Sequence, residues 1–375
     1  LRPSNALFLC QGSKVCRNPC VIRRILVTLQ QIGKMKCSVI ILNWNGEAML
    51  RKYLPSVIMY TQDADCEVVV ADNGSTDNSL EYLRTQSVRI IELDKNYGFA
   101  EGYNRAIEEV EADYVVLLNS DVEVTPDWLH TLYIYMEAHP EVAAVQPKIL
   151  SWQSKEDYFA GKTKAIRFEH AGAAGGMMDM LGYPYCRGRF LSYVEEDHHQ
   201  YDSIVPIFWA TGACMMIRTQ VYREAGGLDG FFFAHQEEID LCWRLQCRGY
   251  KLMCIPQSVV YHLGAGTLSY ESPRKTYLNF RNNLLMLYKN LPPSKLGKVM
   301  FFRFFLDYVA ALQMLFARKP QNFKAVLQAR RDFRKMRIEY IKIRINNLRS
   351  AIVPYPNTIS RRSIIVDYYL RSKRS

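Results

Sequence analysis

Asp121 is the residue whose position most clearly suggests chemistry. It closes the turn Asn119-Ser120-Asp121, directly after the unbroken apolar run 114–118. Ligands of open α/β sheets bind just beyond the carboxyl ends of the strands, and a carboxylate at that edge can hold a divalent cation against a diphosphate. An acid after a strand is more often a turn former or a helix cap, so the interpretation depends on the neighbouring turns.

A second acidic centre is the pair Glu237-Glu238, which follows the apolar stretch 231–233. A carboxylate beside an apolar wall can have a raised pKa and act as the general base that takes a proton from an acceptor hydroxyl. Acids also suit the N-terminal end of any helix, where the dipole is positive. Asp240 and Arg244 lie four residues apart, and we expect them to pair with each other.

Polar turns also follow the strands predicted before Asp121. The Asp72 carboxylate could accept a hydrogen bond from the N3–H of uracil or thymine, although it could equally cap the next helix, and Asp77 is at least as good a cap. Glycines between 96 and 104 allow the backbone to approach a ligand closely, and a helix that begins there would favour phosphate. The residues predicted to contact a nucleotide are Asn43, Asn45, Asp72, Ser75, Asp77, Asn96, Gly98 and Asn104.

A parallel sheet would bring these turns to one edge. Short apolar runs alternate with helical patterns from Cys37 to Asp121, which is typical of βαβ units with right-handed crossovers in an α/β protein. The predicted strands are 39–42, 67–71, 89–93 and 114–118, and the predicted helices are 48–60, a short one around 80–83, and 102–111. Pro55 should kink the first of these helices or start a new one.

The pattern loosens after Asp121. Segment 158–202 is rich in Gly, Tyr and charge with little periodicity, so we expect a long loop region there. The predicted helices are 126–139 and 238–248, the latter ending at Gly249. The predicted strands are 142–146, 207–210, 213–218, 250–255 and 259–262.

The basic character belongs to the C-terminal segment. The net charge of the 375 residues is +11, yet residues 295–375 contain 19 Lys and Arg against 4 Asp and Glu, which gives +15. Within it, 298–317 is rich in Phe, Leu and Met but is interrupted by Arg303 and Asp307, and each charge would cost a few kcal/mol at the centre of a bilayer. We therefore expect a helix in the membrane interface, while a helix packed on the protein's own core is equally compatible. Interleaved Phe and Met suit lipid better than base stacking, so we expect no nucleic-acid partner.

The start of the chain and its cysteines complete the sequence pattern. Ten cysteines at irregular spacings, without a CxxC pair, favour reduced thiols over a zinc cluster or a disulfide framework. Residues 1–34 lack periodicity before a clean strand begins, and we expect them to be an extension that activity does not need. The predicted domains are therefore this extension, a catalytic domain 35–290 and a basic helical tail 291–375.

Five sequence blocks, in this order, carry a resemblance to a known family. They are VIILNWNG (39–46), ADNGSTD (71–77), NYGFA (96–100), LNSD (118–121) and EEIDLCWR (237–244). Over residues 37–290 the chain resembles the inverting glycosyltransferases of family 2, and among them bacterial enzymes similar to rhamnosyltransferases. The resemblance implies a GT-A fold, with a mixed, mainly parallel sheet flanked by helices, a nucleotide-binding half (37–125) and an acceptor half (126–290).

The resemblance also implies roles for the acidic centres. Asp72 would contact the base, and Asp121 would be the last acid of an Asp-x-Asp motif that binds Mg²⁺ or Mn²⁺. Asn119 stands where the first Asp would be, and an amide oxygen is a ligand with less charge. Glu238 would be the base, with Glu237 as the fallback. His262 opens a segment similar to the family's His-x-Gly-x-Gly and would contact the metal or the diphosphate.

The implied reaction is transfer of a sugar from a UDP- or dTDP-sugar to a glycan or lipid-linked acceptor at the cytoplasmic face of the membrane. A nucleotidyltransferase is the alternative enzyme, but it would need a basic, glycine-rich loop after the first strand, and Asn43-Trp44-Asn45-Gly46 is neutral. A catalytically silent membrane-associated nucleotide-binding module is the alternative from another class. It would have no need for both Asp121 and Glu238.

Overall fold

The computed structural model describes residues 36–62, 65–190, 193–264, 272–365 and 367. Its first elements are β1 (Cys37–Asn43), α1 (Glu47–Tyr60), β2 (Cys66–Asn73), α2 (Ser79–Leu83), β3 (Arg89–Leu93), α3 (Gly98–Glu108), β4 (Tyr114–Asn119), β5 (Val122–Val124), α4 (Trp128–Ala138) and β6 (Val142–Ser151). The middle elements are α5 (Trp152–Phe159), β7 (Gly176–Met178), β8 (Pro184–Cys186), β9 (Arg189–Phe190), β10 (Tyr193–Val194), β11 (Val205–Pro206), β12 (Cys214–Arg218), α6 (Thr219–Glu224), a 3₁₀ turn (Gly230–Phe232), α7 (Glu237–Cys247) and β13 (Lys251–His262). The last are α8 (Pro273–Asn290), α9 (Pro293–Phe316), α10 (Pro320–Met336) and α11 (Ile341–Arg349). The predicted extension 1–34 lies outside the described residues.

The main sheet is mixed and has the predicted parallel block at one side. Its strand order is β11-β13-β6-β12-β4-β1-β2-β3, and β5 pairs with β13. Strands β4, β1, β2 and β3 run parallel, whereas β12 is inserted antiparallel between β4 and β6. The parallel strands end together at one edge, which is where the polar turns were expected.

The apolar runs form strands because both faces of the sheet are covered. All five residues of 114–118 are buried, and so are Val39, Ile40 and Ile41 of β1 and the end of β2, while Leu42 is partly buried. A strand covered on both sides needs continuous hydrophobic residues rather than alternation. On α3, the residues Ala100, Tyr103, Ala106 and Ile107 form the face that packs into the same core.

The sequence prediction was wrong at several elements of the structure. Helix α3 begins at Gly98 rather than at residue 102, and no new helix starts at Pro55, which lies inside α1; a kink there stays a prediction. Residues 207–210 are not in a strand, whereas 250–255 and 259–262 are parts of the single strand β13 with an irregular register between Ile255 and Val259. Segment 158–202 is not a continuous loop, since it forms an antiparallel sheet in the order β10-β9-β8-β7.

The C-terminal helices pack on the rest of the protein. Helix α8 contacts α7, α10 and α11, and α9 contacts α10. Beyond α11 the chain returns to the region of β7: Ile359 pairs with Met178, and the backbone amide of Ile364 donates to the Asp179 carboxylate at 3.1 Å. The division at residue 290 falls between α8 and α9, and two separate domains there stay a prediction.

Candidate active site

Three neighbouring strand ends bring the predicted nucleotide-binding residues together. In the register of the sheet, Asn43 lies beside Asp72, and Asn119 lies beside Leu42. The Asn43 amide donates to the Asp72 carboxylate and to the Ser75 hydroxyl, both at 3.2 Å. The parallel sheet alone therefore converts separate sequence motifs into one polar edge.

The turn after β2 is held in place by hydrogen bonds from that edge. The backbone amide of Ser75 donates to Asp72 at 3.0 Å, and the Ser75 hydroxyl accepts from the Asn45 backbone amide at 2.9 Å. Asn45 has φ 50° and its side-chain oxygen accepts from the Thr76 amide at 2.7 Å. Asp72 is buried, yet the Oδ1 atom of Asn43 beside it is buried without a hydrogen-bond partner. An orphaned acceptor in a buried polar turn is expected where a ligand supplies the missing donor.

Asp77 has the capping role that was weighed for it. Its carboxylate accepts from the backbone amides of Glu47 and Ser79, which are the first residues of α1 and α2. Partial burial opposes ionisation of Asp77, but the Ser79 side chain and these amides outweigh it and lower its pKa. Asp77 therefore orders the turn.

The sequence analysis did not single out Asn73, which organises the next loop. Its Oδ1 accepts from the Tyr97 amide at 2.9 Å, while its Nδ2 donates to the Asn96 side chain and to the Gly98 carbonyl. Asn96 in turn accepts from the Gly98 amide at 2.8 Å. The left-handed φ of +72° at Gly74 and the closeness of Lys95 leave no room for a Cβ there, so this turn requires glycine. The only sequence signal for Asn73 was its place between Asp72 and Gly74.

Asn104 does not join this edge. Its amide donates to the Leu228 carbonyl at 2.9 Å, and its oxygen accepts from the Tyr222 hydroxyl at 2.6 Å and from the Leu228 amide at 2.9 Å. Through these bonds the Asn104 side chain links α3 to α6 and to the loop that follows it. The start of α3 at Gly98 explains the difference, because on a helix Gly98 and Asn104 lie on different faces.

At the end of β4, Asp121, His262 and Glu169 form a buried charged cluster. His262 Nε2 lies 3.0 Å from Asp121 Oδ1 and 3.3 Å from the Asn119 amide nitrogen, and its Nδ1 lies 3.5 Å from Glu169 Oε2. Burial alone would lower the pKa of His262, but the two carboxylates outweigh it and raise the pKa to about 10. The pKa of Asp121 is lowered because the opposing effect of burial is exceeded by His262.

This donor set fits a divalent cation that is bound mainly through its substrate. Among the described residues, no three His, Cys, Asp or Glu side chains form a ready-made metal cluster. Asp121 nevertheless converges with the ring nitrogen of His262 and with Asn119, and Mg²⁺-type sites commonly combine one or two carboxylates with substrate phosphates. His262 would have to lose its proton to be a ligand. The segment 265–271, which contains the second glycine of the His262 motif, lies outside the described residues.

The acid pair lies at the first turn of α7, as predicted. Glu237 is buried, Glu238 is partly exposed, and the Oε2 atoms of both are enclosed without a hydrogen-bond partner. Burial raises the pKa of Glu238 to about 7, although backbone amides including that of Gly212 oppose the rise. Burial and the neighbouring Glu238 raise the pKa of Glu237 as well. Glu238 thus combines access to solvent with a pKa suited to a base near neutral pH.

Asp240 points to the other side of α7 and has a structural role. It accepts from Arg244 at 2.9 Å, as the i, i+4 spacing predicted, and also from Lys289 at 3.0 Å and Asn290 at 2.7 Å. Ile239 and Trp243 of the same helix are buried.

A short backbone segment joins the two acidic centres. The Gly212 backbone amide faces Glu238 and limits the rise of its pKa, and the carbonyl of the next residue, Ala213, accepts from the Asn119 backbone amide at 3.0 Å. Asn119 is two residues before Asp121. A second link connects the start of α3 with the loop before α7, since the Phe99 backbone amide donates to the Phe233 carbonyl at 2.6 Å. The nucleotide edge, the Asp121 corner and the acid pair therefore face one region at the ends of the strands.

Known proteins share this sequence pattern and this fold. The sequence model of the family described as "Glycosyl transferase family 2" matches residues 38–224. The N-acetylglucosaminyl-diphospho-decaprenol L-rhamnosyltransferase of Mycobacterium tuberculosis is 26% identical over 57% of this chain and 71% of its own length. A low-salt glycan biosynthesis hexosyltransferase of Haloferax volcanii is 23% identical over 68% of this chain and 77% of its own.

A solved structure supports the same fold. The crystal structure of GalNAc-T7 with UDP, GalNAc and Mn²⁺ matches at a TM-score of 0.54 and 16% identity, and the match covers 84% of this chain and 58% of that one. The mixed sheet with helices on both sides is therefore the GT-A fold. The chain is a glycosyltransferase and belongs to glycosyltransferase family 2.

Proposed function

We propose that this glycosyltransferase moves a sugar from a UDP- or dTDP-linked donor to a hydroxyl of a glycan or lipid-linked saccharide, with inversion, in one displacement. The observation that carries the proposal is the segment Gly212–Ala213, in which the Gly212 backbone amide faces Glu238 and the Ala213 carbonyl accepts from the Asn119 backbone amide. Inversion requires a base on the face of the sugar opposite the leaving diphosphate. This segment holds a candidate base and a candidate diphosphate corner at fixed separation.

Each group has one task in the displacement. Glu238 removes the proton from the acceptor hydroxyl as that oxygen attacks the anomeric carbon, and the bond to the nucleoside diphosphate breaks. Asp72 accepts a hydrogen bond from the N3–H that uracil and thymine share. A Mg²⁺ or Mn²⁺ ion bound at Asp121 and His262 would neutralise the charge that develops on the departing diphosphate.

The class of sugar and acceptor is inferred from the relatives. The Mycobacterium tuberculosis relative is named for rhamnosyl transfer to a saccharide on a decaprenyl diphosphate. We infer a deoxyhexose of the rhamnose type, from a dTDP-sugar, and a polyprenyl-linked acceptor for this chain. Mass spectrometry of products from a panel of UDP- and dTDP-sugars tests the choice, and transfer from neither nucleotide would contradict it.

Glu238→Gln tests the base directly. The substitution keeps the shape of the side chain but removes its ability to take a proton, so kcat should fall by orders of magnitude while the affinity for UDP or dTDP stays within a few-fold. Turnover by product mass spectrometry and nucleotide affinity by calorimetry check the two parts. Glu92→Gln, at an exposed residue of β3, is the matched control. Unchanged turnover in Glu238→Gln would remove this residue from the mechanism.

We also propose that α9 attaches the enzyme to the cytoplasmic face of the membrane. By length and composition α9 could cross a bilayer, but its charged residues Arg303 and Asp307 are buried against the protein. The opposite face exposes a row of apolar side chains: Phe301, Phe302, Phe304, Phe305, Val309, Leu312, Leu315 and Phe316. A bilayer with anionic headgroups suits this face, because residues 295–375 carry +15.

Vesicle co-sedimentation tests the membrane proposal. The full chain should bind vesicles that contain phosphatidylglycerol and bind less to pure phosphatidylcholine. Phe301→Ser combined with Phe305→Ser should reduce binding several-fold, while Met59→Ser, at an exposed apolar residue of α1, should not. Salt-insensitive association of the chain with itself through this face, without vesicle binding, would contradict the proposal.

A further inference from the structure

The loop that leads into the acid pair has an unfavourable backbone conformation. Phe233, His235 and Gln236 have φ of 65°, 71° and 75°, and none of them is glycine. L-residues rarely adopt this left-handed region, and such conformations persist only where the surroundings enforce them. The residues of this loop directly precede Glu237 and Glu238, so the conformation of the loop determines the position of the two carboxylates.

Helix α8 supplies the groups that hold this loop. The Asn282 side chain is fully buried, and its Nδ2 lies 3.0, 2.9 and 2.8 Å from the carbonyl oxygens of Phe232, Ala234 and His235. Its two N–H groups are thus shared among three acceptors on one short loop. Arg281 donates to the Phe231 and Phe232 carbonyls at 2.9 and 3.1 Å from the partly exposed side.

Two more polar groups of the loop are hydrogen-bonded to other elements, whereas the Nε2 atom of His235 is buried without a partner among the described residues. The Phe233 carbonyl accepts from the Phe99 amide at the start of α3, and the Gln236 side chain accepts from Asn283 at 3.0 Å. Asn283 is itself hydrogen-bonded by Arg303 of α9. The loop before α7 therefore lies between the start of α3 on one side and helices α8 and α9 on the other.

We infer that Asn282 is a positioning residue for the proposed carboxylate base. By binding the carbonyls of Phe232, Ala234 and His235 it enforces the left-handed backbone, and this conformation aims the first turn of α7 at the acceptor region. The inference rests on the proposed role of Glu238. It assigns to the C-terminal helices a part in the reaction that is separate from attachment to the membrane.

Asn282→Ala should lower kcat by about 10- to 100-fold while KM for the nucleotide-sugar changes less than about two-fold, because a small displacement of a reacting group has a large effect on rate. Amide hydrogen exchange in peptides covering 231–240 should become faster. Asn322→Ala is the matched control: Asn322 is a buried asparagine of α10 whose amide donates to the Thr276 hydroxyl of α8. It should change neither kcat nor exchange in 231–240.

A second variant at the same loop tests the inference independently of Asn282→Ala. Arg281→Ala, at a partly exposed residue that grips the same loop, should shift kcat and exchange in the same direction but less, and it remains informative if Asn282→Ala does not fold. Unchanged exchange in 231–240, or a loss of kcat equalled by Asn322→Ala, would overturn the inference. If Glu238→Gln keeps full turnover, the proposed base is wrong. The hydrogen-exchange measurement does not depend on turnover, so it still tests whether Asn282 holds the loop.

Discussion

The acid pair illustrates how adjacent residues of one type acquire different properties. Glu237 and Glu238 share the first turn of α7, yet Glu237 is buried while Glu238 is partly exposed and faces the Gly212 backbone amide. Burial raises the pKa of both carboxyls because it disfavours the charged form. A residue that must take up a proton near pH 7 gains from such a shift, and stability is reduced in exchange.

The rate should follow the ionisation of Glu238. Its pKa of about 7 predicts that kcat/KM rises with pH below about 7 and levels off above it, since only the carboxylate is a base. A pH–rate profile for sugar transfer measures this directly. An acidic limb near pH 4 to 5, the ordinary carboxyl range, would contradict the raised pKa.

The same shift predicts an effect on stability. A carboxyl whose pKa is higher in the folded protein than in the unfolded chain contributes stability at low pH that is lost as the pH rises through the folded value. For Glu238 the loss should develop between about pH 4.5 and about pH 7. Glu238→Gln should therefore melt at a higher temperature than the wild type at pH 8 and at a similar temperature at pH 4.5, measured by calorimetry. A lower melting temperature of the variant at pH 8 would be inconsistent with a strained base.

Glu169 was not foreseen, and it acts through His262. Its carboxylate lies 3.5 Å from the ring nitrogen opposite the one that faces Asp121. Groups that orient a ligating histidine in this way typically change metal affinity by about 10- to 100-fold when they are replaced. Glu169→Gln should weaken Mn²⁺ binding in the presence of UDP by about that factor, measured by calorimetry. Glu195→Gln, which alters a carboxylate bonded to Tyr201, is the control and should leave Mn²⁺ affinity unchanged.

At the scale of elements, α9 packs on the protein through the face that carries its charged residues rather than through its apolar face. The charged residues Arg303 and Asp307 lie inside, where Asp307 also pairs with Arg330 of α10, and the phenylalanines face outward. A buried charge is tolerated only with its partners. The interrupting charges therefore fix which face packs on the protein, and they leave the apolar face available.

Replacement of Asp307, the carboxylate that Arg303 and Arg330 share, tests how much this ion cluster contributes to stability. Asp307→Asn leaves Arg303 and Arg330 without their carboxylate in a buried setting, so the free energy of unfolding should fall by about 3–5 kcal/mol. Urea unfolding followed by circular dichroism measures the change. Glu92→Gln breaks the exposed pair of Glu92 with Arg84 and should stay within about 0.5 kcal/mol of the wild type. A similar small effect for Asp307→Asn would mean that the cluster adds little.

At the scale of the whole molecule, the C-terminal helices complete the catalytic core. Tyr340 is buried and donates to Asp229 at 3.2 Å, and the Ile352 and Val353 amides bond to the Cys247 carbonyl at the end of α7. A chain that ends at residue 290 would expose these surfaces. We expect it to be insoluble or to unfold without cooperativity, whereas a chain that lacks 1–34 should fold and remain active.

Solubility, thermal unfolding and turnover of the two shortened chains check this expectation. A soluble, active 1–290 chain would mean that the helices after α8 are a separable attachment. Loss of folding on removal of 1–34 would refute the prediction that this segment is dispensable.

The sequence by itself determined the parts that depend on local patterns. Continuous apolar runs with polar turns predicted β1 to β4, because strands buried on both faces need such runs. The acid pair was found since a first helical turn can be read from residue types and spacing. The segment around β7 to β10 escaped because two- and three-residue strands have too little length for a period to appear.

Only the tertiary structure decided which polar groups act together. Asn73, Glu169 and Asn282 have partners in Tyr97, His262 and Phe232 that are distant in sequence, and a buried side chain takes such partners from the packing of other elements. The same holds for α9, since its composition is compatible with a membrane helix and with a core helix, and only the pairing of Asp307 across to α10 orients it. Local order follows from neighbouring residues, while long-range contacts follow from how the chain closes.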